Sequence, residues 1–222
     1  MGERYRGLLV DFGGVLTTSM GRAFSAFCVE SGVDPERFKT VIAEAYGTDG
    51  THGMIGKLER GEIELDKFEA WLAEHLSEGL EEPLAAAGIR DRMFAGIGSD
   101  ERMIEAVRRA HAAGVKTGLI SNSWGPSGFH QSEIDGVFDA VLISGEIGMR
   151  KPDAQIFLHA AELIGVPPED CVFVDDLEQN AEGARAVGME AIVHRSARFT
   201  VPKLEELLGV PLTSDDAGVH SG

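Results

Sequence analysis

Residues 7–16 have the sequence GLLVDFGGVL, and the way this stretch ends decides the fold. Its apolar run, residues 8–10, has the character of a strand that is buried on both faces of a sheet. The run stops at Asp11, which places this carboxylate at the carboxyl end of the strand. Ligands of open α/β sheets bind at that edge, because helix N-termini point free N–H groups into it. Asp11 and the glycines after it also suit an ordinary turn, so this stretch alone leaves both interpretations open.

Strands and helices alternate along most of the chain. Four further apolar runs have the character of buried strands: residues 115–120, 137–143, 171–174 and 191–193. Helical periodicity separates these runs, with one helix expected to start at Pro152 and a final helix expected over residues 204–208. The alternation predicts an α/β fold with a doubly wound, Rossmann-like parallel sheet and helices on both of its faces.

A long helical segment separates the first predicted strand from the second. The Asp-Pro pair at residues 34–35 predicts the start of one helix, and apolar residues at helical spacing predict another within residues 63–80. Glycines within residues 47–56 predict a flexible loop near His52 and Met54 that closes over a ligand. We therefore expect an inserted helical cap at residues 18–95, a core at residues 1–17 and 96–212, and a disordered tail at residues 213–222.

The composition is that of a globular protein with a large acidic surplus. Of the 222 residues, 43% are hydrophobic and 26% are charged, and the formal net charge is -17. This charge argues against partners such as nucleic acid or anionic membranes, which attract basic surfaces. The apolar run behind the N-terminus is too short for a signal-peptide core or a membrane span, so a cytoplasmic location is expected. The oligomeric state stays open between a monomer and a homodimer formed through an apolar face of the cap. Cys28 and Cys171 lie far apart in apolar surroundings, which favours free thiols and leaves a disulfide open.

Polar residues interrupt this scaffold at four points: Asp11, Ser121 with Asn122, Lys151, and Asp175 with Asp176. Three of these points follow predicted strands, and the fourth precedes a predicted helix. Each has a simpler explanation as a turn residue, an exposed charge or a helix cap. In a doubly wound parallel sheet, however, all four reach one edge. Their convergence therefore predicts a shared site suited to phosphate and metal chemistry.

With these motifs the chain resembles the haloacid dehalogenase (HAD)-like hydrolase superfamily over nearly all of its length. The matching stretches are DFGGVL at 11–16, ISNS at 120–123, RKP at 150–152 and VFVDDLEQNAEGARAVGM at 172–189. The helical segment is similar to the cap that one HAD subfamily inserts between its first and second motifs. Within that subfamily, the DFGGVL and DDLEQN segments most resemble the phosphatase domain of soluble epoxide hydrolases and its free-standing bacterial relatives.

The resemblance implies hydrolysis of a small phosphorylated metabolite through an aspartyl-phosphate intermediate. Asp11 would be the nucleophile, and Lys151 would neutralise charge on it and on the transferring group. Ser121 and the backbone at Asn122 would bind the phosphoryl group. Magnesium, the implied cofactor, would be held by oxygen atoms of Asp11, the Gly13 backbone carbonyl, Asp176 and, directly or through water, Asp175.

Gly13 departs from the pattern of the family's phosphatases, which usually carry a second Asp at this position as general acid and base. Glycine keeps the backbone carbonyl for the metal but removes the proton donor. General acid catalysis contributes about 10²–10⁴-fold, so its loss weighs most on poor leaving groups. We expect a good leaving group such as an anomeric sugar phosphate, an acyl phosphate or an anhydride, or else a donor from the cap or the substrate, or weak activity.

Two other functions stay open behind the phosphatase. A non-catalytic or vestigial binding protein of the same fold would account for Gly13. A 2-haloacid dehalogenase also lacks the second Asp, works without metal and uses a cap arginine, for which Arg22 and Arg37 are candidates. The pair Asp175 and Asp176 argues against this third function, because it would add negative charge beside the nucleophile unless a cation lies between them.

Overall fold

The computed structural model describes residues 5–47, 53–124 and 136–213. Within them lies one five-stranded sheet whose spatial order is β3-β2-β1-β4-β5. The strands are β1 (Gly7–Val10), β2 (Lys116–Ser121), β3 (Ala140–Ile143), β4 (Cys171–Asp175) and β5 (Glu190–Val193). All four pairings between neighbours are parallel. The predicted doubly wound parallel sheet is therefore confirmed.

Helices follow the strands and also fill the segment between β1 and β2. They are α1 (Met20–Ser31), α2 (Pro35–Tyr46), α3 (Met54–Glu59), α4 (Leu65–Leu76), α5 (Ile89–Phe94), α6 (Glu101–Ala112), α7 (Ser144–Ile147), α8 (Ala154–Ile164), α9 (Glu178–Ala186) and α10 (Ala197–Leu208). The side chain of Asp34 caps α2 by accepting from the N–H groups of Glu36 and Arg37, as the Asp-Pro pair predicts. In the described part of the chain, no helix combines the length and the apolar character needed to cross a bilayer.

The central strand β1 is where the order of the sheet reverses. From β1 the chain adds β2 and β3 on one side and β4 and β5 on the other. Val10 pairs with Leu119 of β2 and with Val174 of β4, so the carboxyl ends of the three strands lie within two residues of one level. A crevice opens beyond the carboxyl ends of strands at such a reversal, and Asp11 stands at its centre.

Both faces of the sheet are covered because successive strand residues point to opposite sides. Leu8 and Val10 pack into the hydrophobic cluster formed with α6 and α10, whereas Leu9 packs into the cluster formed with α8 and α9. Phe157 of α8 and Phe173 of β4 meet edge to face in that second cluster, with ring centroids 5.1 Å apart. These two layers hold β1, and with it Asp11, in a fixed position.

The helices α1 to α5 have a third hydrophobic cluster of their own. The chain leaves β1 for this insertion and returns from it at one place, where Thr17 forms an antiparallel bridge with Ser99. The Thr18 N–H donates to the Gly98 carbonyl oxygen at 2.7 Å beside this bridge. The insertion therefore has its own hydrophobic core, and the two chain segments that connect it to the sheet, near Thr17 and near Ser99, lie side by side.

Three boundaries differ from those that the sequence predicts. β3 begins at Ala140 rather than at residue 137, because the Asp139 carboxylate accepts from the Thr117 N–H and the Lys116 ammonium before the ladder starts. α8 begins after Pro152, because a turn closed by the Asp153 N–H on the Arg150 carbonyl comes first. α10 begins at residue 197, well before residue 204, and contains a proline that interrupts the helical pattern in the sequence.

The glycine-rich stretch near Met54 is not simply a flexible loop. Residues 54–59 form α3, and Gly56 is buried within it. A Cβ atom at Gly53 would collide with the Ala45 carbonyl oxygen, so this glycine permits a close approach to the end of α2. His52 lies outside the described residues. The predicted tail also lies outside them except for Thr213, whose N–H donates to Glu205 at 3.0 Å.

Candidate active site

Lys151 joins two of the predicted site carboxylates at the carboxyl edge of the sheet. Its Nζ atom lies 2.6 Å from Asp11 Oδ1 and 2.7 Å from Asp175 Oδ2. The side chain of Lys151 is only 1% exposed, and Asp11 and Asp175 are buried as well. The three residues come from sequence positions up to 164 residues apart, and the parallel sheet brings them together as expected.

Asp11 and Asp175 are held by the backbone around them. The Asp11 N–H donates to the Val174 carbonyl at 2.8 Å, which continues the ladder between β1 and β4. Asp175 is the last residue of β4, and its Oδ1 accepts from the Leu177 N–H and from Asn180 Nδ2, both at 2.9 Å. Both oxygens of Asp175 are thus engaged, one by Lys151 and one by the start of α9.

Asp176 completes an acidic cluster in the described part of the chain. Oxygen atoms of Asp11, Asp175 and Asp176 all lie within 4.8 Å of one another. The Asp176 carboxylate passes close over Gly14, where an added Cβ would lie 2.5 Å from Asp176 Oδ2. Three carboxylates at this spacing form a set of oxygen donors of the kind that hard divalent cations bind.

The electrostatics show a surplus of negative charge at this cluster. Burial raises the pKa of Asp11 to about 7, with Lys151 opposing and Asp175 adding to the rise. Burial likewise raises the pKa of Asp176 to about 6, and Asp175 again adds to it. Burial acts to lower the pKa of Lys151, but the two carboxylates outweigh it and raise that pKa above 10.5. One ammonium ion therefore faces three carboxylates, and a second cation would balance them.

One buried acceptor near this cluster has no partner. Among the described residues, Asn180 Oδ1 is the buried side-chain oxygen or nitrogen that makes no hydrogen bond. Asn180 lines the same cavity as Asp11 and Asp176. A buried carbonyl oxygen of this kind suits a donor that arrives with a ligand, such as a water bound to a metal ion. The donor set and this acceptor therefore fit a hydrated divalent cation.

Ser121 and Asn122 end β2 beside the lysine. Ser121 is buried and lines the cavity. The side chain of Asn122 binds the main chain of Lys151 at both polar groups, accepting from its N–H at 2.9 Å and donating to its carbonyl at 3.0 Å. The structure thus brings together all the residues expected at the site, and it gives the Asn122 side chain a contact that the sequence did not reveal.

The cavity beside these residues has a volume of about 540 Å³. Its floor carries the polar residues described above, and its walls are largely apolar: Phe12, Met20, Phe24, Ile42, Phe94, Ile97 and Trp124. The Met20 thioether lies near Gly13, with its Cε and Sδ 3.7 and 3.8 Å from the position of an added Cβ. A sulfur side chain therefore borders the place where a carboxylate would stand on Gly13.

Several cavity residues were not foreseen from the sequence. Glu59 and Tyr46 come from the insertion, and Arg150 and Trp124 lie one and two residues from the predicted site residues Lys151 and Asn122. Arg150 belongs to the RKP match and Trp124 directly follows the ISNS match, so these two matches could have indicated both residues. Glu59 gave no such signal, because it lies among other charged residues just beyond the glycines at residues 47–56 that predicted a loop. The cap arginines that were considered as carboxylate binders, Arg22 and Arg37, do not line the cavity.

Comparison with known proteins places the chain among hydrolases of one family. Residues 5–188 match the family model described as haloacid dehalogenase-like hydrolase. The sesquiterpene phosphatase astK of Aspergillus oryzae is 32% identical over 158 residues, which cover 69% of this chain and 78% of that protein. The bifunctional epoxide hydrolase 2 of Sus scrofa is 25% identical over 231 residues, which cover 96% of this chain and 40% of that protein. The chain thus spans less than half the length of the longer relatives it matches.

A solved structure shares the fold. The HAD family enzyme BT-2542 of Bacteroides thetaiotaomicron, in complex with magnesium and inorganic phosphate, superposes with a TM-score of 0.57 at 19% identity. The alignment covers 86% of this chain and 94% of that enzyme. Together with the match to the family model over residues 5–188, the fold and the motifs identify this chain as a member of the haloacid dehalogenase-like hydrolase family.

Proposed function

We propose that this chain is a Mg²⁺-dependent phosphatase that transfers the phosphoryl group of a small ester to Asp11 and then to water. The observation that carries the proposal is the bridge of Lys151 between Asp11 and Asp175 at the floor of a cavity, with Asp176 beside it. Phosphoryl transfer depends mainly on positioning and on neutralising charge, and this arrangement supplies both.

Each predicted residue has a role that its surroundings support. Asp11 Oδ attacks phosphorus as the ester P–O bond breaks, which forms the aspartyl-phosphate and releases the leaving group on its own oxygen. Water then attacks the same phosphorus, the bond to Asp11 breaks, and inorganic phosphate and the free carboxylate are released. The Lys151 ammonium, fixed on Asp11 and Asp175, stabilises the negative charge that grows on the transferring oxygens. Ser121 and the backbone at Asn122 donate to the phosphoryl group from the end of β2.

The residues that would hold Mg²⁺ are Asp11, Asp176 and the backbone carbonyl of Gly13. Bound there, the ion would neutralise the surplus of carboxylate charge and orient the phosphoryl oxygens. Asp175 is the least suited of the three acids to direct contact with the ion, because Lys151, Leu177 and Asn180 already use both of its oxygens. Its part is to hold Lys151 and to reach the ion through water.

The leaving group has no general acid at position 13. The other carboxylic acids that line the described cavity, Glu59 and Asp91, are paired with Arg150 and Arg90. We therefore propose that the preferred substrate has a leaving group that departs without a proton or brings its own donor. Loss of general acid catalysis costs about 10²–10⁴-fold with a poor leaving group.

The organic part of the substrate should be apolar. The cavity wall is built from aromatic side chains, Met20 and isoleucines, and it borders the phosphate-binding floor. Apolar walls with a few polar groups are typical of sites that bind a hydrophobic ligand in one orientation. The 32% identity to a protein named as a sesquiterpene phosphatase supports this choice.

The test is hydrolysis of matched phosphate esters with Mg²⁺ and with EDTA. The panel should contain prenyl and aryl phosphates, a simple alkyl phosphate, sugar 1- and 6-phosphates, and acetyl phosphate. We expect metal-dependent turnover that favours aryl esters, because a phenolate leaves without a proton, and that disappears in Asp11→Asn. Prenyl phosphate should be preferred to the simple alkyl phosphate through the apolar wall alone, because both release an alkoxide. Asp170→Asn, which loses an ion pair with Arg6 away from the site, is the matched control and should remain active. Absence of turnover on every ester would contradict the proposal, and metal-free chloride release from a 2-chloroacid would replace it by dehalogenation.

A further inference from the structure

Glu59 is a carboxylate of the insertion that is buried against the core. It ends α3, and its side chain is only 3% exposed. Three donors reach it: Arg150 Nε at 2.7 Å and Asn122 Nδ2 at 3.3 Å on Oε2, and Trp124 Nε1 at 3.1 Å on Oε1. All three come from the core, so this one side chain joins the insertion to two separate core segments.

Those two segments are the ones that place Lys151. Arg150 is its neighbour in the chain, and Asn122 binds its main chain at both the N–H and the carbonyl. The contacts form a continuous network from Glu59 through Arg150 and Asn122 to the backbone of Lys151. The Lys151 ammonium then continues it to Asp11 and Asp175. A movement of Glu59 would therefore shift the main chain of Lys151, from which its side chain extends.

Holding the insertion on the core does not require a buried ion pair. The chain after α3 already approaches the core closely, since a Cβ at Gly61 would lie 2.8 Å from the Gly145 carbonyl oxygen. Buried pairs such as Glu59 with Arg150 are often no more stabilising than apolar residues of similar volume. Burial also raises the pKa of Glu59, because the charged carboxylate loses its hydration, and Arg150 opposes this rise. The pair is better explained by the geometry that it fixes.

We propose that Glu59 is a positioning residue that acts through Arg150 and Asn122 to fix Lys151 between Asp11 and Asp175. The inference rests on the proposed function, because that function assigns Lys151 its part in phosphoryl transfer. The insertion then has two tasks: it forms the cavity wall, and through Glu59 it fixes the position of Lys151. Displacing a group that stabilises charge by about 1 Å can lower a rate by about 10²-fold, so a loss of this support is measurable.

The experiment compares three variants by kinetics and by thermal unfolding. Glu59→Gln removes the charge and leaves Arg150 buried without its partner charge. Glu59→Gln/Arg150→Gln removes both charges, so that neither remains uncompensated. Glu69→Gln is the matched control, because Glu69 is a buried carboxylate of the same insertion that binds the N–H groups of Gly88 and Arg90 and does not line the cavity.

We expect Glu59→Gln to lower both Tm and kcat, with kcat falling about 10- to 100-fold and KM little changed. The double variant should regain Tm and keep the low kcat, because the support of Lys151 is still missing. Glu69→Gln should lower Tm and leave kcat unchanged. A kcat that returns together with Tm in the double variant would assign Glu59 a purely structural role and overturn the inference.

Orthovanadate affinity, measured by calorimetry with Mg²⁺, separates this inference from the proposed function. This mimic of the transferring phosphoryl group needs no turnover to bind, and we expect it to bind the double variant about tenfold more weakly than wild type. If wild type binds orthovanadate but hydrolyses no ester, the proposed function fails, and the ratio of the orthovanadate affinities of wild type and the double variant decides the role of Glu59. Equal orthovanadate affinities of these two proteins would overturn that role. A wild type that neither binds orthovanadate nor hydrolyses an ester would overturn both proposals.

Discussion

The Asp176 carboxylate occupies the space that a side chain on Gly14 would need. An added Cβ would lie 2.5 Å from Asp176 Oδ2, and Gly14 has a φ of +75°. A methyl group at this position would therefore displace the carboxylate that we assign to the metal, as well as strain the backbone.

Gly14→Ala should abolish the metal site while leaving the fold intact. Gly165→Ala is the control, because Gly165 has a φ of +69° and nothing within 4 Å of an added Cβ. Both variants should lose about 1 kcal/mol of unfolding free energy from the left-handed backbone. Calorimetric titration with Mg²⁺ should show binding in wild type and in Gly165→Ala but not in Gly14→Ala. Equal Mg²⁺ affinity in both variants would remove Asp176 from the ligand set.

Gly13→Asp should supply the missing general acid. The position has room for a Cβ, since the Met20 side chain would be in ordinary contact at 3.7 Å. We expect kcat/KM for a simple alkyl phosphate to rise about tenfold or more, with a smaller change for aryl phosphates, which need no proton. Gly13→Asn, similar in size but unable to donate a carboxylic proton, is the control. A uniform gain or loss across both esters would mean that the leaving group is not protonated from this position.

Magnesium should stabilise the folded protein. Asp11 and Asp176 have pKa values raised to about 7 and about 6 by burial and by neighbouring carboxylates, and a bound cation would relieve that repulsion. At a concentration 100 times its Kd, a ligand that binds only the native state adds about 2.7 kcal/mol. Thermal unfolding with Mg²⁺ and with EDTA should show this rise in Tm for wild type. Asp176→Asn should lose most of it, and an unchanged rise would argue that the ion binds elsewhere.

His194 should weaken the fold in acid. It is 5% exposed, its Nδ1 lies 2.9 Å from Thr200 Oγ1, and burial lowers its pKa below 6.5. The unfolded chain therefore binds a proton at higher pH than the native state does. The resulting stability is fully present above pH 6.5 and is lost as pH falls toward the lowered pKa of the native state.

The measurement for His194 is urea unfolding of wild type and His194→Gln between pH 5 and pH 8, a range chosen around the ordinary pKa of histidine of about 6.5. The raised pKa values of Asp11 and Asp176 act in the opposite direction, because they favour the protonated native state at low pH. These contributions are common to both proteins and cancel in the difference. The difference in unfolding free energy should shrink as pH falls below 6.5, and a constant difference would contradict a neutral buried His194.

The sheet and most of the polar site could be predicted because each site residue on a strand follows an apolar run. Asp11 and Asp175 end apolar runs that are typical of strands buried on both faces, and a parallel sheet aligns the ends of such strands. The start of β3 could not be predicted, because Val137 is buried by tertiary packing outside the ladder. Burial and strand pairing are separate properties, and apolar character in a sequence reports only the first.

The contacts across the insertion could not be predicted at all. Glu59 resembles any charged residue of a surface helix until the fold brings Arg150, 91 positions later, to within hydrogen-bonding distance. Met20 gives no sign in the sequence that it borders Gly13. Contacts of this kind depend on how one layer packs on another, and local periodicity carries no information about that.

The antiparallel bridge between Thr17 and Ser99 has an evolutionary consequence. Because the chain departs and returns at adjacent points, the sheet could accept a different insertion without moving Asp11. Substrate preference and chemistry are in this sense separable parts that could be exchanged between relatives. The buried Arg150 restricts such exchange. A different insertion would have to supply an acidic partner for the Arg150 guanidinium, or this charge would remain buried and unpaired beside Lys151.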